Sequence, residues 1–283
     1  ITGTDTLAAI KDGNLTIKLI KKAIGTNPYA SVRMNTTQAW KYGYFEMRAK
    51  MPSGRGTWPA FWMLPKDFKS WPLDGEIDIM EYVGYEPNVV HGTIHTQAYN
   101  HSIGTQRGTK RSIQNAETEF HTYALLWTPE KIRVYVDGYN YFTFSNDEAG
   151  NKNTWPFNVP FYLKLNLAMG GNWGGAQGID ETITSASYVV DYVRVYQLAT
   201  GVDAAKGDGF SSNFNQADSC LTLLFSNEAH YQVQIVDMQG RTLERLSFTE
   251  PLAHIDCSHL NPGHYLVAVT DGQNQYKKKF VKM

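Results

Sequence analysis

The stretch Gly75-Glu76-Ile77-Asp78-Ile79-Met80-Glu81-Tyr82-Val83-Gly84 decides how the chain reads. Acidic and apolar residues alternate from Glu76 to Ile79, which is the two-residue period of a strand with one wet face and one dry face. Glu76 and Asp78 then point one way, and Ile77 and Ile79 point into a core. Continued regularly, the alternation would bury Glu81. An ionised, unpaired carboxylate in a core costs several kcal/mol, so the regular pattern is expected to break before residue 81. A β-bulge at Ile79 and Met80, with two residues opposing one on the neighbouring strand, returns Glu81 to the face of Glu76 and Asp78. Three acids then line one surface of a sheet.

Their spacing can be set against chemistry. With the bulge, the Cα atoms of Glu76 and Glu81 are roughly 13 Å apart at a rise of ~3.3 Å per residue. Glycosidases that retain anomeric configuration hold two carboxyl groups ~5–5.5 Å apart, and inverting ones ~6.5–9.5 Å. Each glutamate must lean inward by about 4 Å to meet the retaining figure, which a concave sheet permits. Crowded like charges repel unless they share protons or hold a ligand, and two carboxyls pushed apart in pKa supply an acid and a base. The plain alternative is an ordinary solvated strand face.

Aromatic residues flank this strand. In Gly56-Thr57-Trp58-Pro59-Ala60-Phe61-Trp62-Met63-Leu64-Pro65, Trp58 and Trp62 share a face if the segment is extended. Trp173 lies in Gly170-Gly171-Asn172-Trp173-Gly174-Gly175, a glycine-rich loop ill suited to core packing. Flat indoles meet the C–H faces of sugar rings at small entropic cost and keep an N–H for a hydroxyl, although Trp58 and Trp62 could equally be core residues. Arg33 and Asn35 alternate in Ser31-Val32-Arg33-Met34-Asn35. His95 shares a strand face with His91 and Thr93, and Asn166 lies in Lys164-Leu165-Asn166-Leu167. Each could bind a sugar hydroxyl or serve structure.

Composition bounds the rest. The 283 residues are 42% hydrophobic and 19% charged, with 26 basic and 27 acidic side chains, so the chain is neither disordered nor a basic nucleic-acid binder. No apolar run approaches the ~18 residues of a membrane span. Residues 1–13 lack the pattern of a signal peptide, which leaves secretion open. Short β-rich runs with turns at Asp12-Gly13, Ser53-Gly54 and Asp137-Gly138 predict an all-β sandwich or jelly roll, with a hairpin at Lys131–Val136 and Tyr139–Phe144. All seven Trp precede residue 174, and the small, polar run after Thr200 predicts a boundary. The expected division is 1–199, a linker at 200–215, and a small all-β, immunoglobulin-like module at 216–283. Cys220 and Cys257 fall in that module and could be bridged or free.

The acidic stretch resembles the ExDxxE signature of glycoside hydrolase family 16, in the bulged form of laminarinase-like endo-β-glucanases. The resemblance extends through Tyr42–Lys50, Trp58–Pro65, His91–His95, Asn166–Trp173 and Asp191–Tyr196, and covers about residues 10–197. It implies a β-jelly-roll sandwich with a concave substrate cleft and retaining cleavage inside β-1,3- or mixed β-1,3/1,4-linked glucans. Carried over by position, Glu76 is the nucleophile and Glu81 the general acid/base, and Asp78 supports Glu76 by a hydrogen bond. Trp58, Trp62 and Trp173 stack on sugars, while Arg33, Asn35, His95 and Asn166 bind hydroxyls or the acids. The chemistry then needs no cofactor. A structural calcium is a further implication, with Asp191 and the Gly43 carbonyl matching its position, but one carboxylate and one carbonyl fall short of the ~6–8 oxygens calcium takes.

The sequence departs from the family pattern in starting almost at Lys11–Ile20, so an outer strand, part of the cleft and one calcium ligand are expected to be missing. The tail, with Gly263–Val269 and Lys277–Lys282, looks like the sorting domains that direct Bacteroidetes proteins through the type IX secretion system. That resemblance implies a secreted or cell-surface bacterial protein whose partners are a polysaccharide and the secretion machinery, with no nucleic acid and no membrane span; a monomer is expected. Two other functions stay open on sequence: a non-catalytic glycan-binding lectin on the same jelly roll, and a galactan hydrolase of agarase or carrageenase type.

Overall fold

The computed structural model describes residues 7–197, 209–216, 219–225 and 229–283. The chain divides into two compact units, Ile1–Val195 and Tyr196–Met283. In the first, alternating strands pair antiparallel into two sheets. The seven-stranded sheet has the order β1 (Ala8–Lys11), β2 (Asn14–Ile20), β13 (Ser185–Tyr196), β4 (Gly43–Lys50), β9 (His121–Trp127), β10 (Lys131–Val136) and β11 (Tyr139–Ser145). The six-stranded sheet has the order β3 (Arg33–Asn35), β12 (Phe161–Met169), β5 (Thr57–Pro65), β6 (Glu76–Tyr82), β7 (Val89–His95) and β8 (Arg107–Ser112). Hairpin-linked neighbours alternate with pairs far apart in sequence, such as β2 with β13, β4 with β9 and β5 with β12, as in a jelly roll.

One apolar core joins the two sheets. Phe45, Met47, Leu125, Trp127 and Val134 come from the seven-stranded sheet and meet Phe61, Met63, Ile77, Ile79, Val90 and Ile94 from the six-stranded one, all essentially inaccessible to water. Burial of each such side chain stabilises the sandwich by about 1.5–3 kcal/mol, which leaves the opposite face of β5, β6 and β7 free for polar work. The hairpin read at Asp137-Gly138 forms, with Lys131 opposite Ser145 and Val136 opposite Tyr139.

The second unit is a smaller all-β sandwich. A three-stranded sheet, β14 (Phe210–Asn215), β15 (Cys220–Phe225) and β18 (Leu252–Asp256), is accompanied by a four-stranded one. The latter has the order β17 (Thr242–Phe248), β16 (Tyr231–Asp237), β19 (Gly263–Thr270) and β20 (Gln275–Lys282). The end of the stretch expected to be linker is therefore strand. Its Ser and Asn content reads as linker, but Phe210 is buried and Phe214 packs on the same core, so alternation overrides composition. The rest of that linker, up to residue 208, lies outside the described residues. Neither Cys220 nor Cys257 is in a disulfide. Cys220 stands opposite Asp256 and near His254, whereas Cys257 turns into the core, where burial pushes its thiol up to about 12.

Candidate active site

Strand register assembles the site. Across the six-stranded sheet, Arg33 opposes Asn166, Asn166 opposes Ala60, Ala60 opposes Glu81, Glu81 opposes His91, and His91 opposes Lys110. One rank along, the row is Asn35, Lys164, Trp62, Asp78, Thr93 and Gly108. Both rows share a face because side chains two residues apart do. Between the rows β6 carries one residue too many: Phe61 opposes Met80 while Trp62 opposes Asp78, so Ile79 is unmatched on β5. On β7 only Gly92 separates the partners of Asp78 and Glu81. Ile79 and Met80 are both fully buried, and Glu81 emerges beside Glu76 and Asp78. This is the bulge that the burial cost of Glu81 demanded. Gly92 fits the narrow place opposite it, since a Cβ there would lie 2.9 Å from the Tyr141 hydroxyl.

The three acids form the floor of a cleft of about 530 Å³, walled by Arg33, Trp58, Trp62 and Asn166. The indole N–H of Trp58 donates to Glu81 Oε1 at 3.0 Å, and that of Trp62 donates to Asn166 Oδ1 at 2.7 Å. Lys164 Nζ donates to Asn35 Oδ1 at 2.9 Å and lies 4.8 Å from the Trp62 ring centre. Trp173 stands in a single helical turn, α1 (Gly171–Gly174), edge-on to Trp58 at 5.6 Å and to His91 at 4.9 Å. All seven sugar-contact candidates from the sequence lie in this sheet or beside it. Arg33, Trp58, Trp62 and Asn166 line the cleft itself, and Asn35 is tied to Lys164.

Burial governs the electrostatics. It pushes the Glu76 carboxyl up to about 7, against hydrogen bonds from Trp71 and Asp78 and the nearby Lys164 charge, all of which favour its ionised form. Asp78 is raised well above the carboxylate range by burial and by the charges of Glu76 and Glu81. Glu81 is raised to about 7 by burial and by Glu76, against the Trp58 hydrogen bond. The three titrate as a set. Glu76 holds two donors and a cation's attraction, whereas Glu81 holds one donor and a neighbour's repulsion. These causes favour Glu81 over Glu76 as the holder of a proton shared between the two.

His95 packs against Trp71 and His101 at ring-centre distances of 5.7 and 5.2 Å. Burial, followed by His101, pulls its pKa down to about 4, so the ring is neutral near pH 7. Trp71 and Lys164 were not singled out by sequence. Trp71 sits in a turn between strands, and Lys164 is a buried lysine whose role rests on partners far along the chain. The Lys110, Glu86 and His91 chain was missed too: Glu86 bonds Lys110 at 2.5 Å and His91 at 3.1 Å.

The residues expected to hold calcium do not fit it. Asp191 is bound by the Arg48 guanidinium at 2.5 Å, so a cationic side chain already holds that carboxylate. Among the described residues, the only cluster of three acid, histidine or cysteine donors is Glu76, Asp78 and His95.

Residues 1–194 match the family described as glycosyl hydrolases family 16. The chain belongs to that family. Residues 215–283 match the secretion system C-terminal sorting domain. The family 16 unit is 50% identical over 200 residues to a β-glucanase of Rhodothermus marinus, covering 67% of this chain and 70% of that protein. Among solved structures, the laminarinase from Rhodothermus marinus superposes with a TM-score of 0.66 at 48% identity, over 69% of this chain and 82% of that one. SCLam, described as a non-specific endo-β-1,3(4)-glucanase of the same family, superposes with a TM-score of 0.68 at 44% identity, over 70% and 80%. The resemblances read from the acidic strand and from the tail both hold.

Proposed function

We propose that the chain is an endo-acting β-glucanase that cleaves β-1,3- or mixed β-1,3/1,4-linked glucans with retention of configuration. One observation carries this reading: the bulge sets Glu81, its carboxyl raised to about 7, in the same aromatic-walled cleft as Glu76. In the first step Glu76 attacks the anomeric carbon while Glu81 gives its proton to the departing glycosidic oxygen, leaving a glycosyl ester on Glu76. In the second, Glu81 takes a proton from water, the hydroxyl adds to the anomeric carbon, and Glu76 leaves as the carboxylate. Asp78, protonated by its setting, donates to Glu76 and keeps its attacking oxygen in place.

The cleft walls suit a glucan. Trp58 and Trp62 lie four residues apart on β5 and offer ring faces to successive sugars, and Arg33 and Asn166 offer hydrogen bonds to hydroxyls. The activities in the names of the two glucanase relatives, and of the laminarinase, favour β-1,3 linkages with tolerance of β-1,4. The tail marks the protein for export to the cell surface or beyond.

The test is product analysis on laminarin and barley β-glucan. Rapid shortening of the polymer with new reducing ends, the β-anomer appearing first by NMR, and loss of both in Glu76→Gln and Glu81→Gln support the reading. Release of glucose alone, a first-formed α-anomer, cleavage of agarose or carrageenan instead, or binding without release would each overturn it.

A further inference from the structure

Three donor groups on the cleft floor offer more than hydrolysis uses. A carboxylate oxygen from each of Glu76 and Asp78 and a ring nitrogen of His95 lie within 4.8 Å of one another. Register makes this so, because Glu76 stands directly opposite His95 on β7 and Asp78 follows on the same face. The Asp78 and His95 side chains are 4% and 8% exposed, and His95 Nε2 is 3.5 Å from Asp78 Oδ2. No hydrogen bond closes that gap, since Asp78 Oδ2 is buried without a partner, and the other ring nitrogen, His95 Nδ1, is likewise buried and unpartnered. A buried polar atom left unpaired costs about 1–3 kcal/mol, so the pair is held open by the strands around it.

We propose that Glu76, Asp78 and His95 form a binding site for a divalent cation of the zinc class, which seals the floor of the cleft and stops hydrolysis while bound. Zinc takes nitrogen and oxygen ligands at ~2.0–2.2 Å in tetrahedral array, which puts neighbouring ligands about 3.4 Å apart. The separation of Asp78 Oδ2 and His95 Nε2 already matches, at 3.5 Å. Glu76 needs to close by at most about 1.4 Å, within the reach of its side chain, and the fourth position opens to the cleft. A histidine donor favours zinc or copper over magnesium or calcium, which prefer all-oxygen sets. Bound metal takes the lone pair with which Glu76 would attack.

The site also has a visible weakness. A ligating histidine ordinarily donates its second ring N–H to an acceptor, and loss of such support costs about 10–100-fold in affinity. His95 Nδ1 has no such acceptor, so binding is reversible and zinc acts as a brake, not as part of the fold.

Isothermal titration of zinc chloride into the full chain near neutral pH tests the site directly and does not depend on the hydrolytic reading. One equivalent of zinc is expected to bind, with affinity lower by at least about tenfold in Asp78→Asn and in His95→Phe. Magnesium at the same concentration should give no heat. In Glu81→Gln, whose substituted residue is outside the ligand set, zinc should still bind, and saturating laminarin should weaken it. Tryptophan fluorescence confirms that each variant is folded, and Asp78→Asn preserves shape if His95→Phe does not fold. Absence of binding at millimolar zinc, or binding unchanged in both variants, overturns the proposal.

Discussion

Glu46 and Asp78 are buried alike, at 4% and 3% exposure, on the two sheets of one sandwich, yet they live under opposite terms. Glu46 on β4 accepts hydroxyl hydrogens from Tyr44 at 3.0 Å and Tyr192 at 2.8 Å. Asp78 on β6 faces Glu76 and Glu81, has one oxygen without a partner, and is driven toward its protonated form. A buried acid with satisfied oxygens belongs to the architecture, and one crowded by others of its kind is held there for chemistry, at a cost in stability. The contrast lies in the company each keeps.

The largest expected effect breaks the comparison at the level of turnover. Glu76→Gln should lower kcat on laminarin by at least about 10³-fold, and Glu81→Gln by about 10²–10⁴-fold. Glu46→Gln should leave kcat within about twofold but reduce stability by about 1–3 kcal/mol, read as a lower Tm. A loss of turnover in Glu46→Gln with Tm intact would erase the distinction.

Stability against pH sharpens it next. Glu76 and Glu81 release their protons near pH 7 when folded and near the ordinary 4.5 when unfolded, so between those values the folded state binds more protons. The sandwich should therefore be most stable below about pH 4.5 with respect to these two groups, and lose a few kcal/mol as pH rises through 7. Glu76→Gln and Glu81→Gln should each flatten that slope. Because every tryptophan precedes residue 174, tryptophan fluorescence during denaturation reports the first unit alone.

The smallest effect is a displaced pH profile. Activity should be bell-shaped, falling below neutrality as Glu76 gains a proton and above it as Glu81 loses one. The Trp58 hydrogen bond lowers the Glu81 value, so Trp58→Phe should move the alkaline limb to higher pH and raise KM together. An alkaline limb that stays in place would mean that Glu81 is not the group titrating there.

Much of this could be read from residues alone, because the cost of burying Glu81 forces the bulge and alternation then sorts the faces. Alternation also made legible the hairpin at Asp137-Gly138 and the strands of the second unit after β14, which reads as linker. Strand β8 was not: Arg-Gly-Thr-Lys-Arg-Ser is an exposed edge with no apolar alternation to mark it. Trp71 escaped because a loop brings its indole to Glu76, and Lys164 because its partners, Asn35 and the Trp62 ring, come from strands over 100 residues away. Period-two patterns report which face a side chain takes. They are silent about which distant strand lies next to it.

The extra residue in β6 also sets how the enzyme can be altered. Since Ile79 is the unmatched position, its removal would leave Glu81 opposite His91 and Tyr82 opposite Val90, so the two glutamates would keep their separation of four steps along β7. The span between the two glutamates is thus dictated by the flanking strands and not by the bulge, so an engineer can excise the extra residue from this scaffold and keep its spacing.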